Sequence, residues 1–149
     1  MKPNSAKGLV ESLEKLFEKA PVLPKNAKDM IVQFAPWIAL IFGILGVLGA
    51  LGGLGLLTVF SPVALLGGVQ GVSSYGTGFV SALIWLGSSV MMLLAYPGLK
   101  ANKIGGWNLM FWSEIVSVVG SVISLNIVGA AISALIGLYL LFQVKSYYK

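Results

Sequence analysis

Between Asp29 and Lys100 no residue carries a charge, and from Lys103 to Lys145 the only charged residue between the ends is Glu114. A water-soluble bundle of 149 residues has so much surface for its volume that every helix needs charge on its outer face. Only an exterior solvated by acyl chains makes such a pattern inexpensive. Hydrophobic residues make up 57% and charged residues 10% of the chain, against roughly 45–50% and about 25% in ordinary globular domains. The excess is therefore that of a chain folding in lipid.

In hydrocarbon every backbone amide must be paired within the protein, which leaves a helix or a closed barrel. A barrel strand alternates apolar and polar residues over about ten positions. Trp37–Leu57 and Phe79–Tyr96 are instead nearly unbroken apolar runs of helical length. The fold expected is all-α: a polytopic transmembrane bundle of four spans preceded by an N-terminal amphipathic interfacial helix. Residues 1–29 form that helix and a connector on the cytoplasmic side, and residues 30–149 form the four-span transmembrane domain.

Met1–Asn4 reads as a frayed tail, and Ser5 as the cap of a helix reaching about Ala20. Leu9, Val10, Leu13, Leu16 and Phe17 share one side, and most of its charged residues lie opposite, which suits a helix in the headgroup plane or docked on the bundle. Pro21 and Pro24 stop it, leaving Lys25–Asp29 as connector. The first span covers about Ile31–Leu57. Thr58–Thr77 is rich in glycine and holds Pro62, and two readings stand: an extracytoplasmic loop, or a re-entrant half-helix capped by Ser61 with Pro62 at its first position. The second span is about Phe79–Tyr96, ended by Pro97-Gly98, and the third about Gly105–Ile123. A single helix from Trp107 to Val144 would be near 57 Å long, too long for a hydrocarbon layer of about 30 Å. The chain must reverse, and Ser124–Asn126 is the best site, giving a fourth span over about Ile127–Val144.

All the lysines then fall on one side of a four-span chain: the N-terminal region, the Lys100/Lys103 loop and the tail. By the positive-inside rule both termini are cytoplasmic in the cell membrane. The net charge of +5 belongs to this bias, so no nucleic-acid partner is expected. No cleavable signal is read in the first thirty or so residues.

Cysteine and histidine are absent, which removes thiol chemistry, the commonest general base and the commonest metal ligand. No cofactor and no metal site are expected. Gly43-Ile-Leu-Gly46 lies inside a span, and no phosphate-binding loop sequence occurs. Acid–base catalysis would have to rest on Glu114, Asp29 and tyrosines, so the chain is not read as an enzyme.

Glu114 is the sharpest feature. A charge at the centre of a membrane helix costs roughly 2.5–3.5 kcal/mol to insert, and Ser117, Ser121 and Ser124 follow it on one side of the third span. One reading is a proton-responsive transport site of Glu114, Ser117 and Ser121, met by Ser88 of the second span. The other is an interhelical hydrogen bond, or a carboxylate reaching Lys100 or Lys103. Gly49 and Gly53 in the first span, and Gly129, Ser133 and Gly137 in the fourth, have the four-residue spacing that lets helices approach closely.

Two functions follow. The first is a small transporter or channel-like protein, acting as a homo-oligomer in the lipid bilayer. The second is a non-catalytic structural or accessory subunit docked on a membrane partner. In size and span number the chain resembles the small multidrug-resistance transporters, short four-span chains relying on one membrane glutamate. It departs from them in that their glutamate lies in the first span, where this chain has none.

Overall fold

The computed structural model describes residues 4–149, with side chains described from residue 6 onward. Its α-helices are α1 (Asn4–Phe17), α2 (Lys25–Leu66), α3 (Gly68–Lys100), α4 (Ile104–Ile123) and α5 (Ile127–Val144), with a 3₁₀ turn at Lys145–Tyr147 and no strand among the described residues. Four of them, α2 to α5, are long and apolar enough to cross a membrane. This is a multi-pass, all-helical architecture. The tail expected over Met1–Asn4 lies, for Met1–Pro3, outside the described residues, and Ser5 falls within α1 because the helix already starts at Asn4.

The distribution of side chains is inverted relative to a soluble protein. Apart from the aromatic core at one end, buried positions are held by small or hydroxyl residues such as Ala39, Ala50, Ser88, Ser89 and Ser113, while Leu48, Leu56, Val59 and Leu135 are more than half exposed. Helices that pack through small residues and turn large aliphatic ones outward are solvated by lipid.

Successive helices run antiparallel. Along α2 and α3 the register is fixed by contacts of Gly43 with Leu93, Gly46 with Ser89, Gly49 with Trp85, and Leu57 with Gly78. A Cβ at Gly46 would fall on the Ser89 hydroxyl, so glycine sets the closeness of this pair. Between α3 and α4, Gly98 and Gly106 bring the two backbones together, and Ser113 Oγ donates to the Ser88 carbonyl at 2.9 Å.

The segment 58–78 corrects the sequence reading. It is neither loop nor re-entrant half-helix: α2 continues to Leu66, and the chain reverses at Gly67-Gly68 into α3. Pro62 lies inside α2 and has no N–H for the carbonyl four residues back. That carbonyl, Thr58 O, accepts from Ser61 Oγ at 2.8 Å instead, so the helix passes the proline with its acceptor satisfied. Gly68 takes the reversal with φ +62, and Gly71 lies so close to the Ala64 carbonyl that no side chain fits. At 42 residues α2 is about 63 Å long, twice a hydrocarbon core. Ser81 meets Ser124 at the end of α4 through a 2.8 Å hydroxyl contact, so the hairpin beyond Ser81 extends about 20 Å past the α4–α5 turn.

Two smaller corrections also fall at prolines. Lys25–Asp29 is the first turn of α2 and not a connector, because Pro24 precedes the helix where a missing N–H costs nothing. Pro97 lies within α3, which continues to Lys100. The turn at Ser124–Asn126 is as expected: Leu125 is left-handed with φ 59, and Asn126 Oδ1 caps α5 by accepting from Gly129 N–H at 3.0 Å.

The start of α2, the α3–α4 loop and the C-terminal residues share one end. Lys149 N–H donates to the Asn102 carbonyl and Ile104 N–H to the Lys149 carbonyl, at 2.9 and 2.8 Å. An aromatic core of Trp107, Phe111 and Phe142 fills this end. Helix α1 lies against it: Val10, Leu13 and Phe17 pack on the core, Phe17 stacks on Phe142, and Glu14 pairs with Lys145. Leu9 and Leu16 remain exposed.

Candidate functional site

Glu114 lies ten residues beyond the start of the 20-residue α4, about 15 Å along its axis and so at the middle of that helix. Its carboxyl turns to α5, not to the lysines. Ser133 Oγ donates to Glu114 Oε1 at 2.6 Å, and Gly137, one turn on, lies directly beneath: a Cβ there would fall 2.6 Å from Oε1. The helix pair is held in this register by Trp107 Nε1, which donates to the Leu141 carbonyl at 2.8 Å. Ser133 and Gly137, read from the sequence as packing residues, therefore form the seat of the carboxyl.

Two hollows meet on α4. A slot of about 310 Å³ extends from the lysine-rich end between α2, α3, α4 and α5, with Tyr148 and Glu114 among its lining and Met92, Met110 and Leu140 as apolar walls. The Tyr148 hydroxyl is buried and has no hydrogen-bond partner among the described residues; a buried hydroxyl takes its hydrogen bond from whatever fills the adjoining space. A larger hollow of about 690 Å³ lies toward the α4–α5 turn, bordered by Ser81, Ser88, Ser121, Ser124, Asn126 and Trp85. Ser117 lines both. The stripe read from the sequence thus has Glu114 in one hollow, Ser121 and Ser124 in the other, and Ser117 between.

The serines differ in how they are held. Ser88 Oγ donates to the Trp85 carbonyl at 2.9 Å, and its own carbonyl accepts from Ser113, so Ser88 belongs to the α3–α4 seam and does not meet Glu114. Ser121 Oγ donates to the Ser117 carbonyl at 3.0 Å, a local bond common for serine in membrane helices. Gly49 packs on Trp85, whereas nothing lies within 4 Å of a Cβ at Gly53, and Gly129 faces the Asn126 side chain of its own cap. Ser113 and Tyr148 were not singled out from the sequence. Ser113 directly precedes Glu114 and could have been found by its place in the serine series, whereas nothing in the sequence brings Tyr148 to the slot.

No protein family, curated protein or solved structure matches this chain.

Proposed function

We propose that this is a small membrane transporter or channel-like protein of the cell membrane, with both termini cytoplasmic and Glu114 as its proton-responsive group. The observation that carries this reading is the position of Glu114 and Ser117: a carboxyl at the middle of a helix of membrane-spanning length lines a slot from the lysine-rich end, and the next serine borders a hollow from the opposite end. Charged groups within spans are expensive and typically mark ion or proton pathways. The short partition at Ser117 is where access from the two sides would alternate.

Proton-coupled flux in proteoliposomes tests it, with wild type compared with Glu114→Gln. Glutamine keeps an oxygen to accept from Ser133, so the fold is expected to hold while the titratable carboxyl proton is lost. Flux present in wild type and abolished in Glu114→Gln is expected; no flux in wild type, or equal flux in both, ends the transport reading.

A second reading, a non-catalytic accessory subunit, has its own support in the uncharged hairpin beyond the α4–α5 turn, where Val59, Leu65, Leu66 and Val69 are 70% or more exposed. A wild type without flux that co-purifies with a membrane partner would favour it.

A further inference from the structure

A further hollow, sharing only Leu99 with the Glu114 slot, lies at the lysine-rich end, which the positive-inside rule assigns to the cytoplasmic headgroups. It is an open hollow of about 300 Å³ between the first turns of α2 and the α3–α4 loop, and Asp29, Lys100, Gln33, Asn102, Trp37 and Tyr147 border it. Asp29 and Lys100 have opposite charges but are not an ion pair; among the described residues the only pair is Lys145 with Glu14. The hollow holds them apart.

Each wall is fixed by its own contacts. Tyr147 donates to Asp29 Oδ1 at 2.7 Å, which orients the carboxylate and leaves Oδ2 for another donor. Lys100 Nζ lies 5.8 Å from the Tyr96 ring centre, and Tyr96 meets Trp37 edge-on at 6.1 Å, so the ammonium stands on an aromatic wall. Asn102 is in the left-handed conformation with φ 52, and its carbonyl accepts from Lys149 N–H, which fixes the loop that borders the hollow. Gln33 and Asn102 contribute amide groups, and Pro36 and Leu99 an apolar floor. A carboxylate on one side, an ammonium with amide donors on the other, and an apolar floor between them complement a zwitterion with hydrocarbon attached.

We propose that this hollow binds a membrane phospholipid whose headgroup carries a phosphodiester and a primary ammonium. The phosphate oxygens face Lys100 and the amides of Asn102 and Gln33. The ammonium donates to Asp29, and the acyl chains run down the exposed face of α2 beside Trp37. Asp29 makes the choice of head: a primary ammonium has N–H groups to donate, and a quaternary one has none. A headgroup of net negative charge would meet Asp29 with no compensating donor. This site does not depend on transport through Glu114.

The test is lipid binding by the full-length protein, delipidated in mild detergent and titrated with phosphatidylethanolamine, its mono-, di- and trimethylated headgroup analogues, and phosphatidylglycerol, with bound lipid counted by native mass spectrometry. Affinity should fall along the methylation series by about tenfold overall, the scale of one charge-assisted hydrogen bond, and phosphatidylglycerol should bind more weakly than phosphatidylethanolamine. Asp29→Asn should flatten the series, and Lys100→Gln should weaken all of these lipids. A flat series in wild type, phosphatidylglycerol bound as tightly as phosphatidylethanolamine, or an unchanged slope in Asp29→Asn overturns the proposal. Equal competition by chain-free glycerophosphoethanolamine would overturn the lipid as its ligand. The wild-type series decides the matter even if a variant fails to fold.

Discussion

Ser133 on α5 donates a 2.6 Å hydrogen bond to the Glu114 carboxyl on α4, with Gly137 one turn further along α5 as its floor. An apolar helix that carries a carboxyl at its middle needs a neighbour with a hydroxyl and no bulk at the right height, and α5 supplies both. Ser133→Ala is expected to destabilise the fold by about 0.6 kcal/mol and by no more than about 1.7, the range measured for hydrogen bonds between membrane helices. Gly137→Val should cost more, about 1–3 kcal/mol, because its side chain overlaps the carboxyl and over-packs the seam. Reversible unfolding in mixed micelles measures both, and a Gly137→Val variant as stable as wild type would show that the carboxyl does not rest there.

Ser117 borders both hollows, and the absence of cysteine makes this directly testable. A thiol reacts as thiolate, which requires water. Ser117→Cys should be modified by small water-soluble thiol reagents added at either side of a sealed vesicle, while Ser121→Cys should react mainly from the side of the α4–α5 turn. A Ser117→Cys chain inert from both sides would mean that the hollows are dry.

Much of this architecture is legible in the sequence. The uncharged runs give the spans, the arithmetic of Trp107–Val144 requires the reversal at Ser124–Asn126, and the lysines gather at one end because an even number of crossings returns the chain there. The hairpin over 58–78 is not legible, since Pro62 and its many glycines are turn signals in water. The helix nevertheless runs on, because Ser61 takes the carbonyl that Pro62 abandons and so leaves no acceptor unsatisfied at the proline. The seat of Glu114 escapes the sequence for a different reason. Ser133 and Gly137 have a spacing that suits any close helix pair, and their role depends on the α4–α5 register, which Trp107 and Leu141 fix in three dimensions.

The Ser61–Thr58 bond leads to a prediction of non-additivity. Ser61→Ala leaves the Thr58 carbonyl without a donor and should cost about 1 kcal/mol. In the Pro62→Ala background the alanine N–H takes that carbonyl in the ordinary helical way, and the same Ser61→Ala change should be nearly neutral. A double-mutant cycle on thermal stability should therefore show coupling of about 1 kcal/mol; additive effects would mean that the hydroxyl is not a substitute for the missing amide.

Helix α1 and the segment after it hold the outer face of α5. Phe17 stacks on Phe142 with ring centres 5.6 Å apart, Tyr139 Oη donates to the Pro21 carbonyl at 2.5 Å, and Gln143 Nε2 reaches the same carbonyl while its Oε1 accepts from Leu23 N–H. The Glu14–Lys145 pair is partly open to its surroundings, with side chains 37% and 27% exposed, and exposed pairs contribute little. Apolar packing should therefore dominate the attachment. Phe17→Ala is expected to cost about 1–3 kcal/mol and to raise amide exchange across α1, whereas Glu14→Gln should cost less than about 1 kcal/mol and leave exchange there nearly unchanged. The order of the two effects is the decisive result. If neutralising Glu14 releases α1 and truncating Phe17 does not, the helix is held by charge, and its attachment should then weaken steeply with salt.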